Sequence, residues 1–168
     1  MGRTMTIRDT LLTEFDHEMA ATRKLVERVP DDRLAWKPHE KSYSLGGLAT
    51  HLSNLLLWAG SILNEDSFDL AVELPRNTEI TSRAELLSRF DANSKRVRGW
   101  LDKTDAEYCG RWSLKRGGQE VFSMPRSTAF RSFVLHHMIH HRGQLTVYLR
   151  LNDVPLPAMY GPTADEGN

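Results

Sequence analysis

Phe130-Arg131-Ser132-Phe133-Val134-Leu135-His136-His137-Met138-Ile139-His140-His141-Arg142-Gly143-Gln144-Leu145-Thr146-Val147-Tyr148 is the stretch whose periodicity decides the fold. Its apolar residues recur three and four apart, the period of a half-buried helix. Residues four apart stand one turn above each other, because each step advances about 100° around the axis. Measured from His137, the residues Phe130, Val134, His141, Gln144 and Tyr148 share one face within about 60°. Leu145 lies slightly further round. His136 points about 100° away, toward Gly143, Val147 and Arg150, and His140 sits at the border. His137 and His141 thus project from the apolar side of a helix over residues 125–152, whose first turn tolerates Pro125.

Three further segments carry the same period. Residues 7–29 place Leu11, Phe15, Leu25, Val26 and Val29 on one stripe before Pro30-Asp31-Asp32 ends the run. Ser44 is a natural N-cap for a second helix over residues 45–64, striped with Leu48, Leu52, Leu55, Trp58 and Ile62. A third helix, residues 81–103, opens with Ser82 and Glu85 in capping-box spacing and carries Leu86, Leu87, Phe90, Val97 and Trp100. Between the third and fourth, two short runs flank Gly117-Gly118, a hairpin signal over residues 111–122. Residues 30–43 and 65–80 read as ordered connections. The expected fold is all-α, an up-down four-helix bundle with a small β-hairpin or irregular insertion between helices 3 and 4.

Composition sets the outer bounds. A chain of 168 residues suits one domain with a real core. Twenty-two Lys and Arg balance twenty-two Asp and Glu, so no basic excess points to nucleic acid. The single cysteine, Cys109, excludes an internal disulfide framework and agrees with a reducing compartment. It has no base beside it in sequence and reads as inert. No run approaches the roughly 20 apolar residues of a membrane span, and residues 1–10 lack a signal-peptide core. A cytoplasmic protein is expected.

The second helix repeats the pattern of the fourth. His51 shares its stripe with Leu48, Leu55, Trp58, Ala59 and Ile62, while Thr50, Ser53 and Ser61 occupy the other side. Three imidazoles therefore point into one interior from two helices. Each needs a hydrogen bond or a metal, because a buried imidazole without a partner is costly. One divalent ion can take a nitrogen from His51, His137 and His141 together, at about 2.0–2.1 Å for zinc. The plain alternative is three histidines that merely pack. Three neutral ligands without a carboxylate leave coordination positions open, the mark of a reactive site. An ion so held lowers the pKa of bound water or thiol. Glu18, on the inner stripe of the first helix, is a candidate base or hydrogen-bond acceptor for a ligating histidine; otherwise it snorkels out. Gln144 is a candidate to orient an imidazole or a bound water, or else caps the core boundary. Trp36, Pro38, Trp58 and Tyr160 are candidate pocket residues. His17 and His39 read as surface residues.

Trp36-Lys37-Pro38 followed by Ser44-Leu45-Gly46-Gly47-Leu48-Ala49-Thr50-His51-Leu52 resembles the first metal-histidine segment of the DinB-like (damage-inducible) superfamily. His137-Met138-Ile139-His140-His141-Arg142-Gly143-Gln144 is similar to that family's second signature, and Pro155-Leu156-Pro157-Ala158-Met159-Tyr160-Gly161-Pro162 to its ending. The resemblance spans the whole chain and implies one DinB-like domain over residues 1–168. It implies a four-helix bundle, often dimeric, binding nickel, zinc or a similar ion such as iron or manganese through His51, His137 and His141. Some relatives are transferases or isomerases that use low-molecular-weight thiols such as bacillithiol or mycothiol. The leading expectation is a metal-dependent enzyme of hydrolase or thiol S-transferase type, acting on a small molecule through metal-activated water or thiol. The alternative is a non-catalytic metal-binding stress-response or sensor module. Leu135, Ile139, Gly143, Thr146 and Val147 form an apolar or small outer face on the fourth helix. That face is expected to pair two copies, the alternative being contact with the 65–80 connection or the hairpin.

Overall fold

The computed structural model describes residues 4–72 and 78–166. Residues 73–77 of the second connection, and the ends 1–3 and 167–168 of the expected domain, lie outside the described residues. Thr6 and Asp9 close a capping box at the head of α1 (Ile7–Val26), which buries Leu11, Phe15, Leu25 and Val26. Ser44 accepts a hydrogen bond from the Gly47 N–H and starts α2 (Leu45–Asn54). The single helix expected over residues 45–64 is not continuous. A 3-10 turn, Leu55–Leu57, joins α2 to α3 (Trp58–Asn64). Leu55 and Leu56 are both fully buried, and the tighter turn rotates consecutive leucines into the core.

After β1 (Ser67–Asp69) comes α4 (Arg83–Trp100), capped by Ser82. A short helix, α5 (Asp105–Cys109), follows on a second capping box, Thr104 with Glu107. Then β2 (Arg111–Arg116) and β3 (Gln119–Pro125) form the hairpin, whose Gly117 and Gly118 have φ of 60° and 80°. Both positions need the left-handed region that glycine supplies for a type I′ turn. The chain is mostly helical but not all-α. The hairpin gains a third strand, because β1 pairs in parallel with β2, Ser67 opposite Ser113. Asp69 accepts the N–H groups of Ala71, Gly117 and Gly118 and so ties β1 to the hairpin turn.

The last helical stretch begins at Arg126, since Pro125 belongs to β3. It comprises α6 (Arg126–Phe130), a π-helical turn (Arg131–His136) and α7 (His137–Leu151). Hydrogen bonds to the fifth residue widen that turn, so residues before His137 are rotated relative to an unbroken wheel. Leu135, expected on the outer face, is in fact fully buried in the core, since the helix is covered on both sides there. Ile139 and Thr146 are half-buried, whereas Gly143 and Val147 are exposed. α1 packs against α4 and α7, and α2 packs against the same two helices. No helix among the described residues is long and apolar enough to cross a membrane.

α7 is pinned to α1 by a buried ion pair. Arg142, with 3% of its side chain exposed, meets Glu18 at 2.7 Å, itself 8% exposed. The guanidinium also donates to the Glu18 carbonyl and to Thr22 Oγ1, and Tyr160 Oη contacts Arg142 and donates to the Glu18 carboxylate. Arg142→Met leaves that carboxylate buried without its cation, which costs about 3–5 kcal/mol. Urea unfolding is expected to show this loss, and Arg142→Met combined with Glu18→Leu is expected to recover most of it. Equal losses in the single and double variants would contradict the pairing.

Candidate metal centre

The inward stripe of α2 delivers His51, and one face of α7 delivers His137 and His141. His141 Nε2 lies 2.9 Å from His137 Nε2 and 3.2 Å from His51 Nε2. The rings meet at steep angles, 89° between His51 and His141 and 69° between His51 and His137. Edge-on nitrogens thus face a common point rather than stacking. Two ligands held tetrahedrally at about 2.0–2.1 Å from one ion stand about 3.3–3.4 Å apart. The spacing here is close to that. The three side chains form a group able to hold a metal ion, and no carboxylate or thiol joins them among the described residues.

The outer nitrogens are fixed as a metal site requires. His141 Nδ1 donates to Gln144 Oε1 at 2.7 Å, which leaves its Nε2 lone pair pointing at the cluster. Gln144 Nε2 in turn meets His140 Nε2 at 3.1 Å, so the amide is held from both ends. His137 bonds to the backbone of Phe133, inside the π turn. Burial, followed by the charges of His141 and His137, lowers His51 from 6.5 to about 4. Burial also lowers His137, with His141 and His140 adding to it, against the opposing Phe133 bond. His141 is lowered by burial and His140, against the opposing Gln144 bond. All three are therefore neutral at pH 7, the form that binds metal. In chelator-treated protein the unfolded chain takes up protons from pH 6.5 downward while the folded His51 resists them until about 4. Stability is expected to hold above pH 6.5 and to decline as pH falls through that window. Urea midpoints that stay constant across it would contradict the burial of these rings.

Among the other candidates, Glu18 does not reach the cluster. It neither snorkels out nor faces the histidines; its carboxylate is used by Arg142 and Tyr160. Gln144 orients His141, as just described. Trp58 lines a cavity of about 820 Å³ that also touches His51. Trp36 stands apart from that cavity and packs edge-on against Tyr148 at 5.5 Å. Tyr160 belongs to the Arg142 cluster, Pro38 is exposed, and so are His17, His39 and Cys109. Sequence reasoning missed Tyr43, which stacks on His51 at 5.6 Å, and Asn54, Phe68 and Trp100 in the cavity wall. Asn54 lies one helical turn after His51, so its spacing was a usable signal. Phe68 offered none, because its strand has only three residues.

The chain is 27% identical over 165 residues to the uncharacterized protein YrdA of Bacillus subtilis (strain 168), covering 94% of this chain and 90% of YrdA. Its fold is similar to a DinB-like protein of Bacillus cereus ATCC 10987, with a TM-score of 0.71, 21% identity and coverage of 94% and 100% of the two chains. It is also similar to the DinB-like protein YjoA of Bacillus subtilis, with a TM-score of 0.66, 23% identity and coverage of 89% and 96%. The model of the DinB family matches residues 1–168, and the chain belongs to that family.

Proposed function

We propose that the protein holds one divalent metal ion on the Nε2 atoms of His51, His137 and His141. On this reading it is a metal-dependent enzyme of hydrolase or thiol S-transferase type, acting on a small molecule. The observation that carries the proposal is the approach of three neutral imidazole nitrogens to one point, with no carboxylate among the described residues beside them. Three imidazoles suit zinc or nickel, with iron and manganese as further candidates. When bound, such an ion supplies a Lewis acid with open coordination positions. The chain's own part is to keep the rings neutral, to hold His141 through Gln144, and to offer the adjoining cavity for binding. In the transferase case the co-substrate is a low-molecular-weight thiol. A non-catalytic metal-binding stress-response or sensor module is the second reading, favoured by the engagement of Glu18 away from the cluster.

Metal analysis of protein prepared without a metal-binding tag tests this directly. One ion per chain is expected in the wild type and almost none in His141→Ala. Gln144→Leu keeps the stoichiometry but weakens affinity about 10- to 100-fold. Equal metal content in wild type and His141→Ala would sink the proposal. Metal-loaded and metal-depleted protein compared in hydrolysis and thiol-conjugation screens separates the two reaction types, and inactivity in both leaves the sensor reading.

The same reading takes the long helical stretches as an up-down four-helix bundle around the ion, in a cytoplasmic protein. It extends to a homodimer through the exposed strip of Gly143, Val147 and Leu151 on α7, the two side chains being 56% and 58% exposed. A Cβ at Gly143 meets nothing within 4 Å, so Gly143→Arg fits the monomer. Light scattering is expected to show a dimer in the wild type and a monomer in that variant. An unchanged mass counts against this face.

A further inference from the structure

The cavity beside His51 encloses about 820 Å³, and small-molecule sites run from roughly 300 to 1,000 Å³. Three aromatic rings stand in its wall: Trp58 from α3, Phe68 from β1 and Trp100 from the end of α4. Trp58 and Phe68 meet at 5.0 Å and 51°, an open corner rather than a closed stack. Trp100 lies across Gly60, where a Cβ would stand 3.2 Å from the indole. The missing side chain lets the ring rest on the helix instead of being driven outward. Leu55, Leu57 and Val72 add aliphatic surface, and Asn54 and Asn64 add amides. Glu65 and Asp69 line the same cavity, and the backbone N–H groups of Ala71, Gly118 and Gly117 hold Asp69 in its charged form.

We propose that this cavity receives an uncharged, planar aromatic group of the substrate, with the reacting end directed toward His51. The corner of Trp58 and Phe68, together with the Trp100 face, offers ring edges and faces for offset and edge-on contacts. The negative charge of the lining residues Glu65 and Asp69 disfavours an anionic group there. What happens at the His51 end rests on the metal-centre reading above; binding within the cavity does not.

Calorimetry on the full chain, metal-depleted, with 2-naphthalenemethanol and 2-naphthoate tests the inference, since the two probes share a ring system and differ in charge. The alcohol is expected to bind one per chain, and the carboxylate at least about tenfold more weakly. Trp100→Ala is expected to weaken the alcohol about threefold to tenfold, while Trp100→Phe retains most of the affinity. Val121→Ser, exposed on β3 and outside the cavity wall, is expected to leave alcohol binding unchanged. Absence of alcohol binding, equal affinity for both probes, indifference to Trp100→Ala, or loss in Val121→Ser would each overturn the inference. One metal ion per chain without ring binding removes this inference alone. Ring binding without metal removes the metal-centre reading and keeps the cavity assignment.

Discussion

Three imidazole rings whose Nε2 atoms converge, with His141 within 3.2 Å of both others, can offer their lone pairs to one ion only if none of them is protonated there. Much of the local architecture of α2 and α7 follows from that constraint. Protonating any two would set like charges against each other in a half-buried space, and burial adds to the cost. Two helical irregularities stand on either side of the site. The 3-10 turn begins one helical turn after His51, and the π turn ends immediately before His137. Each changes the rotation of the helix locally. In the first case the consecutive residues Leu55 and Leu56 are both buried next to the helix that carries His51.

Arg142 shows how a second face of α7 supports the first. It follows His141 in sequence, so its side chain leaves the helix about 100° further round, toward α1. A desolvated pair of this kind gives little net stability against an apolar alternative, but it penalises displacement heavily. Rotating α7 to misalign His141 would pull Arg142 off Glu18 and Thr22 at the same time. Tyr160 joins the C-terminal segment to the same cluster, and Asp165 pairs with Arg150 further along α7, so the tail contributes to the placement of that helix.

The sequence made the helical periods, the caps at Ser44 and Ser82, and the Gly117-Gly118 turn legible, because each depends on residues close along the chain. The helix wheels also selected His51, His137 and His141, since the apolar stripes around them are locally defined. Three features escaped. β1 exists through pairing with β2 and the bonds from Gly117 and Gly118 to Asp69, which come from residues more than forty positions away. The interruption at Leu55–Leu57 carries no glycine or proline to announce it. The partner of Glu18 lies across the core in Arg142, more than a hundred positions along the chain, where no local pattern connects the two. α5 was a different case, for its Thr104 and Glu107 box was present in the sequence and passed over.

The three histidines are not equivalent, and the difference bears on access. His141 is the most enclosed and touches both others, so it acts as the hinge of the cluster, with Gln144 setting its orientation. His51 and His137 are half-exposed. Around His137 the nearest support is its own helix, through the Phe133 backbone. Around His51 stand two further surfaces, the Tyr43 ring and the wall of the large cavity, to which α3, β1 and α4 contribute Trp58, Phe68 and Trp100. A purely structural cluster needs close packing around every ligand and gains nothing from an adjoining void, whose lining forgoes dispersion contacts. Leaving such a space beside the histidine of α2, with Gly60 in place of a bulkier residue along its wall, fits a site arranged to admit another molecule.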